Sequence, residues 1–106
     1  MKAPVLGVGQ RVNDLLELVH NDVCGPLNRV AHDSFTYFVT FTDDKSRLGY
    51  VYLMRHKSET FEKFKIFQNE VEKQTGKFIK CLLSDRGGEY MSDEFRNYLK
   101  EYSILA

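Results

Sequence analysis

The spacing of apolar residues changes period more than once along this chain, and each change predicts an element. Residues 15–24 are dense in apolar side chains (Leu15, Leu16, Leu18, Val19, Val23 and Cys24), and turn formers flank them: Asn13 and Asp14 before, Gly25 and Pro26 after. This predicts a first strand. Residues 35–42 are rich in aromatic, Val and Thr side chains, with Tyr37, Val39 and Phe41 on one side, which predicts a second strand. Asp43, Asp44, Lys45 and Ser46 make a turn, and residues 48–54 form a third strand containing Tyr50, Val51 and Tyr52. Connections this short favour antiparallel pairing of the three.

The period then lengthens. Phe61, Phe64, Phe67 and Val71 recur at steps of three and four, with Glu62, Lys63, Lys65, Glu70, Glu72 and Lys73 between them. That is an amphipathic helix over 59–75. Ser58 is the expected N-cap, and Gly76 supplies a left-handed stop. Residues 78–84 return to strand character until Gly87 and Gly88 break it. Ser92 caps a second helix, with Asp93 and Glu94 in its first turn and Phe95, Tyr98, Leu99 and Tyr102 as its apolar stripe. Residues 103–106 look like the start of another strand. Residues 1–13, with Pro4, Gly7 and Gly9 and no steady period, read as a loose leader to a single domain over 14–106. The order is β-β-β-α-β-α-(β). It predicts an α/β fold: a mixed sheet with helices on its faces, the order of the ribonuclease H-like fold.

Composition narrows the function. The chain has 106 residues, enough for one small domain, and 42% of them are hydrophobic, enough to bury a core. Fifteen basic residues balance 15 acidic ones, which excludes a general polycation that grips phosphates by bulk charge. Any nucleic-acid role must come from a local patch or a metal site. The longest apolar run is far short of a membrane span, and no apolar stretch follows the N-terminal Lys2 as a secretory signal requires. Cys24 and Cys81 are too few for a disulfide framework and form no Cys-x-x-Cys pair. A reducing, intracellular setting is expected.

Two carboxylates stand out. Asp22 ends the first strand, where Leu16, Leu18 and His20 share its face by alternation. Asp85 ends the fourth, in line with Ile79, Cys81 and Leu83. A carboxylate continuing an apolar row is costly to desolvate unless it is paired or metal-bound. If the two strands are parallel neighbours, both acids lie at carboxyl ends, where open α/β sheets place ligands. Oxygen ligands there suit Mg²⁺ or Mn²⁺. The plainer alternative is that both acids are strand-end caps pointing to water.

The residues around these acids carry a resemblance. Leu16-Glu17-Leu18-Val19-His20-Asn21-Asp22-Val23-Cys24-Gly25-Pro26-Leu27 resembles the first catalytic strand of copia-type retrotransposon integrases. Tyr37-Phe38-Val39-Thr40-Phe41-Thr42-Asp43-Asp44-Lys45-Ser46-Arg47 is similar to their second strand and turn. Lys57-Ser58-Glu59-Thr60-Phe61-Glu62-Lys63-Phe64-Lys65 is similar to the start of their first core helix, and Ser84-Asp85-Arg86-Gly87-Gly88-Glu89-Tyr90 to their second-aspartate motif. The four segments occur in the family's order, which is far more specific than any one of them.

The resemblance implies a ribonuclease H-like integrase core that trims the 3′ ends of element DNA and joins them to target DNA. It implies an Asp, Asp, Glu triad holding two Mg²⁺ or Mn²⁺ ions, with Asp22 and Asp85 as the first two acids. The third, a Glu on a later helix, has no counterpart in the 21 residues after Asp85, so a truncated core, inactive alone and weak in metal binding, is expected. Implied partners are DNA and other integrase chains, including copies of this one. The implied setting is the nucleus and cytoplasm. The chain departs from the family at Arg86, where Asn is usual, and at Ser103, where Gly is usual.

Other residues admit two readings each. His20 either orients the metal carboxylate or touches DNA, or is simply packed and hydrogen-bonded. Asp43 and Asp44 are better explained by a turn than as metal ligands. Glu89 is a substitute for the third acid only if geometry allows. Lys63, Lys65, Lys73, Lys77 and Lys80 form either a DNA-facing patch or a solvated surface interleaved with Glu. Two further functions compete with the integrase core: a ribonuclease H-type nuclease completed by Glu62 or Glu70 on the long helix, and a non-catalytic DNA-binding or assembly module.

Overall fold

A computed structural model describes residues 15–26, 35–84 and 91–106. The expected leader, residues 1–13, lies outside them, as do Asp85, Arg86, Gly87, Gly88 and Glu89. The elements are β1 (Val19–Cys24), β2 (Tyr37–Asp43), β3 (Gly49–Met54), α1 (Thr60–Thr75), β4 (Leu82–Ser84) and α2 (Asp93–Glu101). They follow the order read from the sequence. The four strands form one sheet in the order β3-β2-β1-β4. β2 pairs antiparallel with both β1 and β3, and β4 lies parallel to β1. The chain reaches β4 through α1, as a parallel neighbour requires. Beyond α2, Leu105 makes a parallel bridge to Cys81, where the sequence suggested a further strand. This is the mixed sheet of a ribonuclease H-like fold.

Strand alternation sorts the side chains. Val19, Asn21 and Val23 of β1 are buried, as are Val39 and Phe41 of β2 and Leu82 of β4. Register places Asn21 beside Phe41, Val23 beside Val39, and Val19 beside Leu82, so all share one face. Both helices cover that face. Phe67 of α1 stacks on Phe41 with ring centroids 4.7 Å apart, and Phe64 meets the same ring edge-on at 5.8 Å. Phe95 of α2 stacks on Phe61 at 4.9 Å. Each fully buried Phe contributes about 1.5–3 kcal/mol by leaving water. The stripe read from periodicity is therefore core. Lys65 stands over the Phe61 ring at 4.3 Å, with its charge left in water.

Local boundaries have local causes. Gly76 ends α1 at φ 74, its N–H donating to the Glu72 carbonyl at 2.9 Å. A side chain there would carry the left-handed penalty. Ser92 caps α2, its Oγ accepting the Phe95 N–H at 3.1 Å. Ser58 does not cap α1. It sits inside a 3-10 turn, Lys57–Glu59, and the Glu59 carboxylate instead accepts the His56 N–H at 3.1 Å.

Two strands begin later than their apolar runs suggest. Leu16 is 1% exposed but adopts φ 66, outside any strand. β1 starts only at Val19, so Leu16 and Leu18 do not form a row with Asp22. Residues 78–80 are likewise outside β4, and within it Leu83 is 48% exposed while Leu82 is 0% exposed. Asp22 thus lies on the face away from the helices rather than at the end of a buried apolar row.

Candidate functional site

The second face of the sheet carries His20 and Asp22 of β1, Thr40 and Thr42 of β2, and Leu83 of β4. With Arg47 they line an open depression of about 440 Å³. The register pairs Asp22 with Thr40 and His20 with Thr42, so the floor is polar where the opposite face is aromatic. Asn21 and Ser84 form its edge towards β4. Asn21 is 1% exposed and its Oδ1 accepts the Ser84 hydroxyl at 3.0 Å. That bond ties the middle of β1 to the carboxyl end of β4.

Asp22 is half-buried. Its Oδ2 accepts the Cys24 thiol at 3.6 Å, a weak donor. Its Oδ1 is buried and takes no hydrogen bond among the described residues, and the Nδ2 of Asn21 is in the same condition. A buried carboxylate oxygen without a donor costs about 1–3 kcal/mol or more. A hard divalent cation satisfies such an oxygen, so the donor fits Mg²⁺ or Mn²⁺. The fit is partial: among the described residues no cluster of three or more His, Cys, Asp or Glu is placed to hold a metal. Asp85 lies beyond the last described residue of β4, and the register ends with Asn21 beside Ser84.

Asp43 and Asp44 serve the turn after β2. Asp43 is 4% exposed. Its Oδ1 accepts the Leu16 N–H at 2.8 Å, and its Oδ2 accepts the Ser46 N–H at 2.7 Å. Asp44 Oδ1 meets His20 Nε2 at 2.8 Å. That hydrogen bond, more than any other cause, holds the Asp44 carboxyl below its usual range; the charges of His20, Arg47 and Lys45 act the same way against some desolvation. His20 is accordingly a hydrogen-bonded residue fastening the turn to β1. Glu62 and Glu70 belong to α1, on the other side of the sheet, and do not line the depression. The ribonuclease H-type reading through a helix glutamate loses its geometry. The threonines, Ser84 and Arg47 escaped the sequence reading of the site, although the step of two from Asp22 and the pairing of β1 with β2 were available signals for Thr40 and Thr42.

A family model described as the integrase core domain matches residues 15–106. The chain is 43% identical over 95 residues to the Retrovirus-related Pol polyprotein from transposon TNT 1-94 of Nicotiana tabacum, covering 90% of this chain and 7% of that one. It is 33% identical over 90 residues to the corresponding polyprotein from transposon RE2 of Arabidopsis thaliana, covering 84% of this chain and 6% of that one. It thus spans a small fraction of these relatives. Among solved structures, the HTLV-2 integrase catalytic core domain in complex with magnesium, in a trimeric form, superposes with a TM-score of 0.61. The two share 15% sequence identity over 85% of this chain and 57% of that one, a likeness of fold. A dimeric form of the same domain matches equally, at TM-score 0.61. With strand order, helix placement and family model in agreement, this chain belongs to the integrase core domain family, in the form found in retrotransposon Pol polyproteins.

Proposed function

We propose that residues 15–106 are part of the catalytic core of a copia-type integrase, and that Asp22 and Asp85 hold Mg²⁺ or Mn²⁺ for DNA strand transfer. The observation that carries this reading is the buried Oδ1 of Asp22, without a hydrogen-bond partner among the described residues, in the carboxyl half of a strand whose parallel neighbour leads in sequence to Asp85. When bound, the ion neutralises charge on the scissile phosphate and favours attack by a hydroxyl oxygen. The chain's own residues do the rest. Asp22 presents Oδ1, the Cys24 thiol holds Oδ2, and the Asn21–Ser84 bond keeps β1 and β4 in register.

Mn²⁺ titration followed by electron paramagnetic resonance tests this. One weak site is expected in residues 1–106, weakened at least about tenfold by Asp22→Asn and by Asp85→Asn. An affinity untouched by either change defeats the reading. Two acids do not suffice for two ions, so joining of 3′ DNA ends by residues 1–106 alone should be undetectable. Robust joining would point to another acid, Glu89 first. The exposed Val51, Leu53 and Leu83 favour a second reading in which the chain also associates with its own copies or other integrase chains. DNA in the nucleus is the setting this function requires.

A further inference from the structure

The turn between β2 and β3 is fastened more heavily than a connection of five residues needs. Asp43 receives two backbone N–H groups on its carboxylate, and Asp44 donates its N–H to the Leu18 carbonyl at 2.9 Å. His20 binds the Asp44 side chain, and the Asp43 N–H reaches the Leu48 carbonyl at 2.9 Å. What these bonds hold in place is Arg47. Its N–H donates to the Asp43 carbonyl at 2.8 Å, and its backbone stands at φ 66. Left-handed backbone is unfavourable for a residue with a Cβ, and such strain persists where the surroundings impose it. Arg47 is exposed and lines the same depression as Asp22. Among the described residues its guanidinium has no hydrogen-bond or ion-pair partner, although the Asp44 carboxylate is near enough to feel its charge.

The geometry points to Arg47 as a phosphate-binding residue, delivered by this turn to grip the DNA backbone beside the Asp22 carboxylate. The proposal rests on the reading of the depression as a DNA-processing site. Its chemistry is independent of base sequence: a guanidinium binds phosphate oxygens through paired N–H groups, and phosphate contacts set position rather than specificity. It also answers the charge problem posed by composition. A chain of formal net charge zero cannot hold DNA by bulk attraction, and one fixed cation beside the acid concentrates what attraction there is.

The test is fluorescence anisotropy of residues 1–106 with two unrelated labelled DNA duplexes over a series of salt concentrations, alongside the Mn²⁺ titration. Arg47→Gln should weaken both duplexes equally, by roughly tenfold, and flatten the dependence of log affinity on log salt by about one. Lys100→Gln, the same charge change on α2, should do neither. Arg47→Gly separates binding from folding: glycine suits φ 66, so its melting temperature should be unchanged or higher while DNA affinity falls as in Arg47→Gln. An unchanged salt slope in Arg47→Gln, an equal loss in Lys100→Gln, or no measurable DNA binding by the parent chain would overturn the proposal. If Asp22→Asn abolishes Mn²⁺ binding while Arg47→Gln leaves DNA affinity intact, the metal site stands and the arginine's role fails. If no Mn²⁺ binds but the arginine effect persists, the reverse holds.

Discussion

The two faces of this sheet are built from alternate residues of the same strands, yet they obey different rules. On one, Val19, Val39, Phe41 and Leu82 lie under two helices and are almost without exposure. On the other, Val51 is 63% exposed, Leu53 is 52% exposed, and Asp22, His20, Thr40 and Thr42 surround an open depression. The first face holds the domain together and has no chemistry to offer. The second holds a buried carboxylate oxygen without a donor among the described residues, an arginine in a strained conformation, and the polar ties that keep them there. A strand's period of two lets adjacent residues such as Asn21 and Asp22 serve opposite ends. The cost of the polar face is borne by the aromatic one.

Substitution should break the two faces unequally. Phe64→Ala removes a ring packed against Phe41, Phe67 and Phe95 and should cost about 3–5 kcal/mol, enough to abolish a cooperative urea transition in a domain of this size. Paired Val51→Lys and Leu53→Lys changes on the open face should shift stability by no more than about 0.5 kcal/mol. They should reduce self-association seen by sedimentation velocity, because contiguous exposed apolar surface drives it. Equal destabilisation by both sets would erase the distinction.

Asp43 is the sharper case, since its carboxylate is buried although it serves a turn. Asp43→Ala leaves the N–H groups of Leu16 and Ser46 without their acceptor and should cost about 2–3 kcal/mol in denaturant unfolding. It should also lower DNA affinity by releasing Arg47.

On the helix side, the Tyr98 hydroxyl donates to Gln68. Its pKa is pushed up to about 12, by burial first and then by the Tyr102 hydroxyl, with the charges of Tyr102, Glu72 and Glu101 adding to it. A raised folded-state value means the folded chain holds this proton longer. The stability it contributes is complete below the ordinary value of 10 and is lost as pH climbs from 10 towards 12. Thermal melts across that range should show a fall that Tyr98→Phe removes.

A small effect of opposite sign should come from Ser103→Gly. Ser103 stands at φ 57 just past α2, with its N–H on the Lys100 carbonyl at 3.0 Å and the Ile104 N–H on the Leu99 carbonyl at 2.8 Å. That is a Schellman ending, which favours glycine. The change should stabilise by about 0.5–1 kcal/mol in thermal melts, with DNA affinity unaltered.

Features that depend on near neighbours were legible in the residues alone. The period of Phe61, Phe64, Phe67 and Val71 forces a helix with one apolar side. Ser92 and Gly76 fix ends because a cap bond and a left-handed backbone are satisfied within a turn. The Asp-rich segment after Phe41 had to be a turn, and Asp22 was conspicuous as a carboxylate close to apolar residues. The face that Asp22 occupies depends on long-range pairing, because an apolar run does not reveal where its strand begins. Leu16 leaves the strand by turning left-handed to donate its N–H to Asp43, 27 residues away, and alternation counted from Val19 puts Asp22 opposite the core. Strand order likewise came from pairings across long separations, such as Asn21 with Ser84. So did the place of Arg47, an ordinary turn residue by sequence, which the bonds of Asp43 and His20 set at the rim of the depression that Asp22 occupies.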